Sequence, residues 1–308
     1  MKTGADAQAL IAEFAPRARA VVFDVDGTLT GADNAVTPGN ITALRRLNEA
    51  GLVVLVVTGR MLHAAARTLQ EAGVEGYLAA CNGAIVVDLS TGDLVRREAL
   101  PDADTIALIE FAEANDVPCV LFTEDAMYMD RVGEGDPTPW EFMRETNDIA
   151  PQVVDLEFVE RGDVLKGMIT APRARLDELM PGLLARVPQA ERTLDDWTEA
   201  CSPEADKWDA LQLILGRLGI DPADVAGAGD GGNDASWLGR IGLGAAMANG
   251  RPEAKAVAAI EIGHHLDDGA ARFADALLAG RGDLPAGDLP TGDGPDASSV
   301  RRASERES

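Results

Sequence analysis

Short unbroken apolar runs recur along this chain, each followed by a polar turn and then by apolar residues at helical spacing. Val21-Val22-Phe23, Leu52 to Val57 and Tyr77 to Ala80 are such runs, and an aliphatic stretch of that length suits a strand covered on both faces. Between the first two, Thr37-Pro38 supplies an N-cap with proline at the first helical position, and Gly51 closes the helix. A second helix carries Leu62, Ala65, Ala66 and Leu69 on one face and stops at Gly73. Residues 5–19 form an amphipathic lead-in through Leu10, Ile11, Phe14 and Ala18. This β-α-β-α-β order predicts an α/β fold with a doubly wound parallel sheet and right-handed crossovers.

The pattern changes after Ile85. Val86 to Val95 reads as a hairpin around Thr91-Gly92, followed by a helix over 104–114, strands over 118–122 and around Tyr128, and a Gly- and Pro-rich loop over 131–139. Val164 to Thr170 is the next strand and Arg173 to Arg186 the next helix. Such a mixture predicts an inserted α+β domain over 86–198 that splits a core made of 1–85 and 199–279. The α/β rhythm returns with Lys207 heading a helix whose apolar face is Trp208, Leu211, Leu215 and Leu218. Strands follow over 225–228 and 242–247, then helices opened by Asn249 and Pro252 and over 270–278. The segment 280–308 is rich in Gly, Pro, Ser, Asp and Arg, and is expected to be disordered because it cannot bury enough apolar surface.

Composition narrows the function. The 308 residues carry 52 acidic against 27 basic side chains, a net charge of −25, which argues against nucleic acid or an anionic membrane as partner. No apolar run approaches a membrane span and no secretory leader is visible, so a cytoplasmic location is the expectation. Cys81, Cys119 and Cys201 match neither a disulfide framework nor a zinc cluster and read as reduced, small apolar residues. His264-His265 lacks a third ligand nearby and reads as structural.

The first strand ends in Asp24-Val25-Asp26-Gly27-Thr28. Carboxylates at the carboxyl end of a parallel strand sit where open α/β sheets bind ligands, and Gly27 permits a turn that brings both to one point. Thr58-Gly59, Lys207, and Asp230 with Asn233 and Asp234 also lie at strand ends or helix starts. Asp24 could act as an oxygen nucleophile, and Asp26 could protonate a leaving oxygen and later accept a proton from water. Asp24 and Asp230 offer a hard-cation site suited to Mg²⁺, with Asp234 placed to orient it. Thr58, Gly59 and Lys207 could hold phosphate oxygens. Four carboxylates against Lys207 leave an excess that a divalent cation and a proton on Asp26 would cancel. Arg60 could either steer substrate or pair with a carboxylate.

These segments, together with Asn82-Gly83-Ala84 and Ala246-Met247-Ala248-Asn249, resemble the haloacid dehalogenase-like (HAD) superfamily, Cof type, over residues 19 to 279. The resemblance implies a Rossmann-like core with an α/β cap inserted between the second and third motifs. It also implies a Mg²⁺-dependent phosphatase acting on small phosphorylated metabolites, with sugar phosphates the expected class. Asp24 would be the nucleophile and a metal ligand. Asp26 would be the general acid/base and ligate through its carbonyl, Asp230 would complete the metal ligands, and Asp234 would stand behind them. Thr58, Gly59, Lys207 and Asn233 would hold the phosphate. A phosphomutase or phosphotransferase of the same superfamily, or a catalytically silent metabolite-binding regulator, are the alternatives. The chain departs from the pattern at Ala205-Asp206-Lys207-Trp208, where an acid and a large aromatic flank the lysine, and at Trp237-Leu238, where Met-Leu is usual. Both Trp208 and Trp237 read as packing residues. The insert would set the substrate, but its side chains such as Tyr128, Trp140 and Met168 carry no readable code and read more as core than as contact, and the oligomeric state is equally silent.

Overall fold

The computed structural model of the protein describes residues 1–130, 137–147 and 149–283. Two sheets organise it. The larger runs in the order β14 (Ile260–Ile262), β13 (Leu243–Met247), β12 (Val225–Gly229), β1 (Ala20–Phe23), β2 (Val53–Val57), β3 (Tyr77–Ala80), β4 (Ile85–Asp88), β5 (Asp93–Arg97). Its first six strands are parallel, as the βαβ rhythm requires. Every β1 residue is buried, with one apolar cluster on each face of the sheet. The helix Pro38–Glu49 begins as its sequence predicts, with the Thr37 side chain accepting from Asn40 N–H.

The smaller sheet is ordered β10 (Glu191–Leu194), β11 (Trp197–Cys201), β9 (Lys166–Thr170), β6 (Cys119–Phe122), β7 (Met127–Met129), β8 (Gln152–Val153). It is antiparallel except between β7 and β8. Helices Asp102–Asn115 and Arg173–Leu184 contribute to an apolar core separate from those of the larger sheet.

Several expectations need correction. The hairpin assigned to the insert pairs antiparallel with β3 and extends the larger sheet, so the division drawn after residue 85 falls inside β4. The one drawn before residue 199 falls inside β11, which belongs to the smaller sheet. Of the loop expected over 131–139, residues 131–136 lie outside the described residues, and a helix already begins at Pro137. Proline in a helix's first turn loses no hydrogen bond, and Pro137 and Pro139 disguised that start. The last helix runs to Arg281, whose guanidinium donates to Ala18 O. The expected disordered segment therefore starts too early, and from residue 284 it lies outside the described residues.

Candidate active site

Asp24 follows β1 directly, is 5% exposed, and donates its backbone N–H to Ala228 O. Lys207, the first residue of the helix Lys207–Leu218, reaches it: Nζ lies 2.9 Å from Asp24 Oδ1 and 2.8 Å from Asp234 Oδ1. Asp206, the acid beside the lysine, caps this helix by accepting from Asp209 N–H. Trp208 is half-buried at the edge of the apolar face formed by Ala210, Leu211, Ile214 and Leu215, packed against their cluster as its helical spacing predicts, with the Arg240 guanidinium over its ring.

Asp234 is wholly buried with every acceptor position engaged. Its Oδ1 accepts from Lys207 and from Trp237 Nε1 at 3.0 Å, and its Oδ2 accepts from the N–H groups of Asp230 at 3.0 Å and Gly231 at 2.8 Å. Trp237 is thus a donor as well as a packing residue. Its ring fills the space beside Gly227, where an added Cβ would stand 2.7 Å from the indole. The carboxylate of Asp234 shapes the loop that presents Asp230.

Asp230 stands against Gly27. With φ of 69°, Gly27 adopts a left-handed turn, and a Cβ there would meet Asp230 Oδ2 at 2.4 Å, so only glycine fits on both counts. Burial, reinforced by the charge of Asp234, lifts Asp230 to about 7. Burial and Asp234 also hold Asp24 well above the usual carboxylate range despite Lys207. For Lys207, burial opposes the charge, but Asp234 and Asp24 outweigh it and raise its pKa.

Asp26 faces elsewhere. Arg60, 4% exposed, forks onto its carboxylate through Nε at 3.0 Å and Nη2 at 2.6 Å, and also donates to Asn34 O. Arg60 therefore pairs with a carboxylate, and its charge joins that of Lys207 in the balance of the site. The Thr58 hydroxyl is buried and accepts from Arg60 N–H.

Asn233, expected at the phosphate, donates to Asn82 Oδ1. Asn82 in turn donates to Glu199, and Glu199 pairs with Lys166 at 3.1 Å. Lys166 closes the chain by donating to Gly59 O at 3.0 Å. Cys81 and Asn82 both hold left-handed backbone angles to make this approach. The three cysteines are free thiols, and burial pushes Cys81 up to about 11 and Cys201 up to about 12.

These groups line a cavity of about 270 Å³ between the carboxyl ends of the larger sheet and one face of the smaller one. Asp24, Asp26, Gly59, Lys207, Asp230 and Asn233 border it from the larger sheet. From the other side come Phe122, Met143, Leu194 and Trp197, with Lys166 and Glu199. One oxygen each from Asp24, Asp230 and Asp234 lies within 4.8 Å of the others. Three carboxylates with one ammonium among them, one lifted to about 7, form a hard-oxygen donor set that a divalent cation fits. Asp24 and Asp230 have acceptor capacity left for it, whereas Asp234 has none. Met168 packs beneath the apolar wall with Phe122 and Trp197, Tyr128 is half-buried, and the Trp140 side chain lies outside the described residues.

Asn82, Lys166, Glu199 and Arg251 border or support the cavity and were not among the expected site residues. A lysine inside a buried strand is the one signal the sequence offered. His265 donates from its ring Nδ1 to Thr30 O and from its backbone N–H to Asn249 Oδ1, a structural role as expected. No helix among the described residues is long and apolar enough to cross a membrane.

A family model described as haloacid dehalogenase-like hydrolase matches residues 21–273. The phosphoglycolate phosphatase of Methanopyrus kandleri is 31% identical over 272 residues, covering 84% of this chain and 96% of its own. The HMP-PP phosphatase of Escherichia coli is 26% identical over 243 residues, covering 78% and 87%. A haloacid dehalogenase-like hydrolase from Bacteroides thetaiotaomicron shares the fold with a TM-score of 0.75 at 22% identity, over 84% of this chain and 98% of its own.

Proposed function

The chain belongs to the haloacid dehalogenase-like hydrolases, and from that membership we propose that it is a Mg²⁺-dependent cytoplasmic phosphatase of small phosphate monoesters, sugar phosphates or related metabolites. The observation that carries the reading is the buried ammonium of Lys207 between Asp24 and Asp234, with Asp230 beside them, at the floor of a cavity. Phosphatases among the relatives support it.

In this reading Asp24 attacks phosphorus, the bond to the alcohol oxygen breaks, and Asp26 gives that oxygen a proton. Water then attacks the phospho-aspartate while Asp26 takes a proton back, releasing phosphate and freeing Asp24. Thr58, Gly59, Lys207 and Asn233 hold the phosphoryl oxygens. Lys207 also favours the ionised form of Asp24 against the burial that opposes it. Asp26 can serve only if Arg60 orients its carboxylate without occupying both oxygens throughout, and its 40% exposed side chain leaves that room. Asp24, the Asp26 carbonyl and Asp230 would hold Mg²⁺, with Asp234 orienting Asp230. When bound, the ion neutralises charge on the transferring phosphoryl group.

The smaller sheet and its helices would act as a cap closing over the substrate, restricting water. Release of inorganic phosphate from a monoester panel, with the Asp24→Asn variant inactive and a phosphoryl group trapped on wild-type Asp24 in rapid-quench mass spectrometry, is the expected result. Transfer to a second hydroxyl without free phosphate would replace this reading with a phosphotransferase. Binding without turnover would replace it with a silent sensor.

A further inference from the structure

Four cations border the cavity: Arg60, Lys166, Lys207 and Arg251. Three are matched by carboxylates, Arg60 by Asp26, Lys166 by Glu199 and Lys207 by Asp24. Arg251 differs. Its backbone N–H is fixed on Asp230 O at 2.8 Å, while its half-buried guanidinium has no hydrogen-bond or ion-pair partner among the described residues. In a chain of net charge −25, acceptors for a guanidinium are plentiful, so one left unmatched at this cavity stands apart from the other three cations. The insert contributes a second unmatched donor. Thr193 in β10 also borders the cavity, and its buried hydroxyl has no hydrogen-bond partner among the described residues. A buried hydroxyl left without a partner costs about 1–3 kcal/mol, a penalty that a ligand acceptor would remove.

We propose that Arg251 determines specificity by binding a second anionic group on the alcohol portion of the substrate, a carboxylate or a further phosphate, with Thr193 donating to the same end of the molecule. The inference rests on the phosphatase reading and narrows it to monoesters carrying two acidic groups. Guanidinium recognises both anions through paired N–H donors. The carbon body between the two acidic groups lies against Phe122, Met143, Leu194 and Trp197, the apolar wall of the cavity. Such a substrate also fits the charge count, since Lys207 and the metal serve the transferred phosphoryl and only Arg251 is left for another anion.

The test uses full-length protein in Mg²⁺ buffer and three non-hydrolysable probes of matched length: phosphonopropionate, its amide, and ethylenediphosphonate. Calorimetry should show both doubly acidic probes binding about 10- to 100-fold more tightly than the amide, as a charge-assisted pair predicts. Arg251→Met should collapse that ratio to within about threefold, with Arg251→Lys intermediate because it keeps the charge and loses the fork. Thr193→Val should reduce the ratio less. Tighter binding of only one doubly acidic probe would identify which anion is read. No preference in the wild type, or an equal loss for all three probes in Arg251→Met, would overturn the proposal, the latter by placing the guanidinium on the transferred phosphoryl. Circular dichroism checks that each variant is folded, and Arg251→Gln replaces Met if that variant is not. Turnover of monoesters is measured separately. Hydrolysis without discrimination sinks this inference alone, whereas discrimination without hydrolysis sinks the phosphatase reading alone.

Discussion

In excess chelator, the stability of this protein should depend on pH through Asp230. The carboxyl ordinarily titrates near 3.8 and is lifted by burial and by Asp234 to about 7. Between those values the unfolded chain is ionised at this position while the folded one holds a proton. Each rise of one pH unit then lowers folding stability by about 1.4 kcal/mol. The contribution is complete below the lower value and gone once the pH has passed the upper one. From about pH 5 to about pH 8 the loss sums to about 3 kcal/mol, and screening of a partly exposed carboxylate reduces it toward 2 kcal/mol. Urea unfolding in excess chelator across this range should show the decline and then a plateau above about pH 7. Asp230→Asn should remove the share that Asp230 carries, since the neutral amide has no titration, and leave the share of Asp24, which burial also lifts. Adding Mg²⁺ at about pH 8 should restore stability to the wild type and not to the variant. A chelated wild type equally stable at both ends, or an Asp230→Asn variant with the same slope, would refute the coupling of burial and repulsion at this position.

Other outcomes follow from the same contacts. Asp24→Asn should lower turnover by on the order of 10⁴-fold or more, measured as phosphate release under saturating substrate. Lys207→Met leaves Asp24 and Asp234 buried without their cation and should cost about 3–5 kcal/mol in denaturant unfolding; a cost below about 1 kcal/mol would show that the ammonium is not the partner of both. Exhaustive chelation should abolish activity and Mg²⁺ should restore it, and activity that survives chelation would remove the metal from the mechanism. Gly27→Ala drives a Cβ into Asp230 at a left-handed backbone angle and should weaken Mg²⁺ binding by about tenfold or more, read by titration calorimetry.

The parallel sheet was legible because its strands are buried on both faces and therefore spelled as aliphatic runs. Asp24, Lys207 and Asp230 were legible because each sits where such a run or a helix begins or ends. The smaller sheet was less so. β10 and β11 are short, with Glu191, Arg192, Thr198 and Glu199 among their residues, so no apolar run announces them. The hairpin of β4 and β5 was seen but placed in the wrong sheet, since local alternation says nothing of which neighbour a strand pairs with. The Arg60 fork on Asp26 and the chain from Asn233 to Lys166 depend on residues 33 to 151 positions apart, a kind of contact that spacing does not encode.

Trp237 makes position 227 answerable to the site although it lies within a strand of the core. Its indole completes the acceptor set of Asp234 and, with Val22, occupies the space that any side chain at 227 would claim. A side chain at 227 would therefore press on the donor that Asp234 needs, and through Asp234 on the loop that presents Asp230.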